Sequence, residues 1–176
     1  MYRTRVGYAG GTSQDPTYRN IGDHTETFQI DFNPAEISYE EILEIFWDNH
    51  NPFGRAWSRQ YMSILFYHSE KQKEAVMESK EALETKMKTE IKTEIVPFSD
   101  FYLAEDYHQK YYLQARPELS MEIMAYYPDF RGFIDSTAAA RLNGLVAGYG
   151  DRGLIEAEKD SYGLSPEGIE LIERMY

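Results

Sequence analysis

Hydrophobic and polar positions divide this chain into a front part of mixed period and a helical remainder. Residues 4–8, around Val6, read as a short strand, and Gly10-Gly11 with Asp15-Pro16 then mark a loop of roughly a dozen residues. Counting by twos from Phe32 through Ile30 and Phe28 predicts a second strand with an apolar face, closed by Asn33-Pro34. Ser38 with Glu41 is a capping box, and Ile42, Ile45, Phe46 and Asn49 follow at helical spacing, which predicts a helix over 39–49 buried on that side. After the Asn51-Pro52-Phe53-Gly54 break, the run 61–67 hardly alternates, as in a strand covered on both faces. Ser69 and Gln72 open a long charged helix over 70–88, Thr93-Glu94-Ile95-Val96 reads as a short strand ended by Pro97, and 104–114 reads as a helix. Beyond Pro117 come helical patches at 119–126 and 137–146, with a last helix capped by Ser165 and started by Pro166.

This order predicts an α+β fold: a two-layer sandwich with one mixed or antiparallel sheet in a ferredoxin-like arrangement, helices on one face, and a helical tail. The expected division is a domain over 1–116 and a helical extension over 117–176 packed on its core. There is no internal repeat and no low-complexity segment.

The second strand carries one misfit. By the same alternation Glu26 shares the face of Phe28, Ile30 and Phe32, opposite Thr25, Thr27, Gln29 and Asp31. Either it ends the strand turned back to water, or it is partly desolvated, which favours the protonated carboxyl and suits a group that delivers a proton. Gly10 and Gly11, beside Tyr8, allow either an ordinary turn or a close approach of backbone to a ligand.

Composition narrows the chemistry. The net charge of −12 argues against nucleic acid or an anionic membrane surface as partner, since both require clustered Lys and Arg. No apolar run approaches ~18 residues and no secretory segment follows Met1, so a cytoplasmic location is expected. Fifteen tyrosines supply side chains with an apolar body and a polar tip, suited to lining a pocket. The absence of cysteine removes disulfides, thiolate metal sites and thiol nucleophiles together. His24-x-Glu26 and the Asp106, His108 pair are too sparse to predict a metal, no Gly-x-Ser-x-Gly elbow supports acyl transfer, and Gly144–Gly150 lacks a phosphate-loop lysine, so no cofactor is expected. His50 fits a helix C-terminal cap better than a base.

Eight short motifs stand in an informative order: Val6-Gly7-Tyr8-Ala9-Gly10-Gly11, Pro16-Thr17-Tyr18, His24-Thr25-Glu26, Ile37-Ser38-Tyr39, Phe46-Trp47-Asp48-Asn49-His50-Asn51-Pro52, Gln60-Tyr61-Met62-Ser63, Thr93-Glu94-Ile95 and Ala104-Glu105-Asp106-Tyr107-His108-Gln109. Over residues 3–115 the chain resembles the peptide-methionine (S)-S-oxide reductases. The resemblance implies reduction of protein-bound or free methionine sulfoxide, with thioredoxin as reductant. It assigns Glu26 as the acid, Tyr8 and Tyr61 as ligands of the sulfoxide oxygen, and Tyr111, His24 and Gly10 to substrate binding.

The departures matter equally. In that family the nucleophile lies in a Gly-Cys-Phe-Trp segment ahead of the strand that here begins near Met1, so an upstream strand and helix are expected beyond a misassigned start. The position often held by aspartate is Ala56, and the usual arginine after the pocket tyrosine is Met62. A non-catalytic module that keeps part of the sulfoxide pocket is the alternative reading. Without the first strand, apolar faces at Ile42, Ile45 and Phe46 are expected to stand open and to favour self-association.

Overall fold

The computed structural model describes residues 2–176, and by their contacts these fall into two compact units. One gathers the chain up to Val6, Phe28–Asp31 and Glu105–Tyr176; the other gathers Gly7–Thr27 and Phe32–Ala104. Strands β1 (Arg3–Ala9) and β2 (Thr25–Asp31) run through both. No helix among the described residues is long and apolar enough to cross a membrane.

The unit containing Gly7–Thr27 and Phe32–Ala104 is the α+β part. Helix α1 (Tyr39–Asp48) starts where the capping box requires: Ser38 Oγ accepts from the Glu41 amide, and the Glu41 carboxylate accepts from the Ser38 amide. The buried side is Leu43 and Trp47, one position out of phase with the expected Ile42, Ile45 and Phe46. The indole sets that phase, because Trp47 Nε1 donates to Ser79 of α2 (Glu70–Met87) at 3.1 Å while Ile45 is left exposed. Leu43, Trp47, Leu65, Val76 and Ile91 form the core, each burial contributing on the order of 1.5–3 kcal/mol. His50 caps α1 as expected, with Nδ1 2.6 Å from the Phe46 carbonyl.

Strands β3 (Ile64–Tyr67) and β4 (Glu94–Pro97) pair in parallel, whereas β1 pairs antiparallel with β5 (Phe101–Leu103), placing Tyr8 opposite Tyr102. The expected single sheet is therefore two among the described residues, one ordered β2-β1-β5 and one β3-β4. Both edges of β1 are taken by β2 and β5, which leaves β3 and β4 to satisfy each other. The α+β class and mixed pairing hold.

The other unit is mainly helical: α3 (Tyr111–Gln114), α4 (Pro117–Met124), α5 (Phe130–Ile134), α6 (Thr137–Val146), α7 (Arg152–Glu158) and α8 (Pro166–Glu173). Asp129, Ser136, Asp151 and Ser165 each accept an amide hydrogen bond at the N-terminus of their helix, which is why such short helices persist. Ten buried residues, among them Leu113, Leu119, Phe133, Leu142 and Ile172, form its core. The helix expected over 104–114 is instead a 3-10 turn at Asp106–His108 followed by α3, the two separated by Lys110 at φ 47°. Gln109 uses both ends of its amide on the Val6 backbone, donating to the carbonyl at 2.8 Å and accepting from the amide at 3.0 Å, as a strand partner would.

Candidate functional site

The polar centre of the α+β unit is the turn after β1. Gly10 has φ 78°, and a β-carbon there would stand 2.8 Å from the Phe66 ring, so both conformation and space demand glycine. Asp23 gathers the chain that follows: its carboxylate accepts from the amides of Thr12 (2.9 Å) and Ser13 (3.0 Å) and from the hydroxyls of Thr12 (2.9 Å) and Ser13 (2.7 Å). Those hydrogen bonds, Ser13's foremost, hold the carboxyl well below the usual carboxylate range. His24 completes the clamp. Gly11 N–H donates to Nδ1 at 3.1 Å, which leaves the proton on Nε2 to donate to the Ser13 carbonyl at 2.8 Å. With 1% exposure and both ring nitrogens engaged, His24 fixes the loop and does not present a nitrogen outward.

Tyr61 was expected inside a strand but sits at the end of a 3-10 turn, Arg59–Tyr61, closed by the Met62 amide on the Arg59 carbonyl at 3.2 Å. That same carbonyl accepts the Thr25 hydroxyl at 2.9 Å. The turn aims Tyr61 outward: its hydroxyl is 3.4 Å from that of Tyr18, and its ring lies 5.0 Å from the exposed Trp57. The hydrogen bond to Tyr18 leads the causes that push the Tyr61 phenol up to about 12, with desolvation and the negative charges of Tyr18 and Glu26 adding to it. Glu26 is half-buried and takes a hydrogen bond from Gln60 Nε2 at 2.8 Å.

The apolar face counted through Phe28 does not hold. Phe28 is 59% exposed and Thr25 is fully buried, because the bond to the Arg59 carbonyl satisfies the threonine hydroxyl and lets it turn inward. Tyr8 is buried at 1% exposure on β1. Tyr111 belongs to the helical unit, where it opens α3 largely exposed, edge-to-face with Tyr112. The structure thus joins Tyr61 and Glu26 electrostatically and adds Tyr18, Gln60, Arg59 and Asp23 to the set. Of these, Tyr18 and Gln60 stood inside the quoted motifs, and their neighbours were the available signal.

Such a group can do one kind of chemistry well. Two phenol hydroxyls lie within hydrogen-bond distance, with the Glu26 carboxyl near enough to act on Tyr61 electrostatically, an arrangement that can hydrogen-bond and protonate a polar oxygen, and no residue of the chain is a thiol.

A family model described as Peptide methionine sulfoxide reductase matches residues 1–140, and one described as Selenoprotein methionine sulfoxide reductase A, helical domain, matches residues 133–175. A Peptide methionine sulfoxide reductase of Drosophila melanogaster is 43% identical over 169 residues, covering 94% of this chain and 67% of the fly protein. Peptide methionine sulfoxide reductase MsrA of Methanosarcina acetivorans is 44% identical over 120 residues, 62% of this chain and 64% of that protein. Among solved structures, reduced Mxr1 from Saccharomyces cerevisiae aligns with a TM-score of 0.59 at 31% identity, covering 65% of this chain and 71% of that one. The chain therefore spans roughly two thirds of the length of the relatives it matches.

Proposed function

This chain belongs to the peptide methionine sulfoxide reductase family, and from that premise we propose that it supplies the oxygen-binding half of a methionine sulfoxide reductase site. The observation that carries the reading is the Tyr18–Tyr61 phenol pair beside Glu26. In this reading Glu26 is the acid, held by Gln60, and Tyr61 with Tyr8 binds the sulfoxide oxygen, with Tyr18 now beside Tyr61. Gly10 and His24 shape the turn that substrate approaches.

The reaction needs a nucleophile from outside these 176 residues. A chalcogen acid XH and a sulfoxide give the thioether and X–OH; the sulfur gains two electrons, X loses them, and the proton placed on oxygen by Glu26 leaves with X–OH. Two thiols, supplied by thioredoxin, then return X–OH to XH and release water and a disulfide. The description of the model over 133–175 favours a selenol over a thiol as X. An in-frame UGA codon within an upstream Gly-X-Phe-Trp stretch supports that choice, and a cysteine codon there removes it.

The ferredoxin-like layering, the extension over 117–176 and a cytoplasmic location belong to the same reading. Of the face expected to stand open, Ile45 is exposed while Phe46 packs against the core, and self-association of the 176-residue chain belongs to the same reading. Titration with N-acetylmethionine sulfoxide N-methylamide, followed by NMR of the tyrosine rings, tests it: Tyr18 and Tyr61 signals shift, and Glu26→Gln weakens binding about tenfold. No shift at either tyrosine refutes the oxygen-binding role. Binding without turnover once the upstream segment is included would instead favour the non-catalytic sulfoxide module.

A further inference from the structure

One cation is committed to this site. Arg59 donates from Nε to the Asp23 carbonyl at 3.2 Å, from Nη2 to the Gly10 carbonyl at 3.1 Å and from Nη1 to Glu94 Oε2 at 3.0 Å. The same Nη1 lies 3.3 Å from Met62 Sδ, the position where the resemblance leads one to expect arginine. Its backbone carbonyl receives Thr25, and its residue opens the turn that ends in Tyr61.

We infer that Arg59 is a positioning residue for the sulfoxide oxygen pocket, its guanidinium standing in from three residues upstream for the cation absent at Met62. The inference rests on the oxygen-binding role proposed above. A planar fork can hold three acceptors in fixed directions at once, which an ammonium on a flexible stem cannot do. Those acceptors are the glycine turn that follows Tyr8, the Asp23 carbonyl just ahead of His24, and β4. With them tied to one rigid group, the turn bearing Tyr61 keeps its phenol on Tyr18. Glu94 supplies the countercharge, and because the pair is partly exposed its value lies in direction more than in Coulomb energy.

The test uses the 176-residue chain, the sulfoxide probe named above, and the phenol titration of Tyr61. In Arg59→Gln the Tyr18–Tyr61 bond loosens, so Tyr61 ionises closer to its ordinary value of 10 and sulfoxide affinity falls about tenfold. Arg59→Lys, with charge but no fork, loses most of the same affinity. Adding Met62→Arg to Arg59→Gln returns both readouts to within about threefold of the parent. Circular dichroism checks folding, and if Arg59→Gln does not fold, Arg59→Lys decides. Unchanged Tyr61 titration and affinity in Arg59→Gln, or full retention in Arg59→Lys, overturns the proposal. Absence of sulfoxide binding in the parent chain defeats the oxygen-binding reading alone, because the Tyr61 titration still reports whether Arg59 positions the phenols.

Discussion

The turn region around Gly10 and the helical region beyond Tyr111 are held together by opposite means. Around Gly10 the order comes from directed polar contacts: four donors on Asp23, two backbone groups on His24 and three acceptors on Arg59. In the helical region it comes from an apolar cluster of fully buried side chains, with caps at the helix starts. Directed contacts fix where a hydroxyl or carbonyl points, which a reacting oxygen requires, while apolar burial fixes only that elements stay together. The division predicts that changes in the first region alter binding with little loss of stability, and changes in the second the reverse.

The largest effect expected is on turnover. The 176-residue chain alone reduces no methyl sulfoxide with dithiothreitol, because no serine or carboxylate replaces a thiolate or selenolate in attacking sulfur and then exchanging with dithiols. Reduction above the buffer rate, abolished by Glu26→Gln, would show that the polar region is complete in itself.

Next comes the apolar cluster. Phe133, fully buried among Leu113, Leu119 and Leu142 of the same cluster, loses on the order of 3–5 kcal/mol on truncation to alanine, read as a lower urea midpoint at unchanged slope. A loss below about 1 kcal/mol would mean that polar contacts hold the helices as well.

Lys110 blurs the contrast, being a cation inside the helical unit. Its Nζ donates to the carbonyls of Thr4 at 2.6 Å and Ile134 at 2.7 Å, and burial pulls it down to about 8, opposed by Asp135 and assisted by Arg5. In the unfolded chain it titrates near its ordinary 10.5, so between about 8 and 10.5 the unfolded state binds more protons and stability rises with pH. Lys110→Met removes that rise. A parent melting temperature that falls steadily from pH 8 to 10 while the variant's stays level would contradict the sign.

The two regions also differ in how far they could be read in the sequence. Caps speak locally, so Ser38, Ser69 and Ser165 announced their helices correctly, and the glycine pair marked its turn. Which face is covered is a tertiary fact. Alternation grouped Glu26 with Phe28, yet Phe28 faces out and Thr25 in, because a hydroxyl found the Arg59 carbonyl. The Ile42 spacing was likewise overruled by an indole reaching Ser79. Phe101–Leu103 is too short to show a period at all. Apart from Glu26, which alternation singled out, site residues became visible only as motifs in order, and Arg59, three residues from the arginine that the pattern led one to expect, lay outside every motif.

The smallest effect should be confined to the turn. The Asp23 carboxyl is held below the usual carboxylate range by its Ser13 and Thr12 donors, so its contribution to loop order is present above the ordinary value near 3.8 and disappears as pH falls toward its lowered folded value. Asp23→Asn keeps one carbonyl acceptor and loses the other, along with the charge that strengthens all four bonds. Because the carboxylate is exposed, the global unfolding midpoint should hardly move. The amides of Thr12 and Ser13 should nonetheless lose protection from hydrogen exchange at pH 7 in the variant, as they do in the parent only in strong acid. Their protection follows the carboxylate if the turn is held by directed contacts. Equal protection in parent and variant would place the order of this turn in the buried Tyr8 and His24 rings, and so bring the polar region under the same apolar rule as the helices.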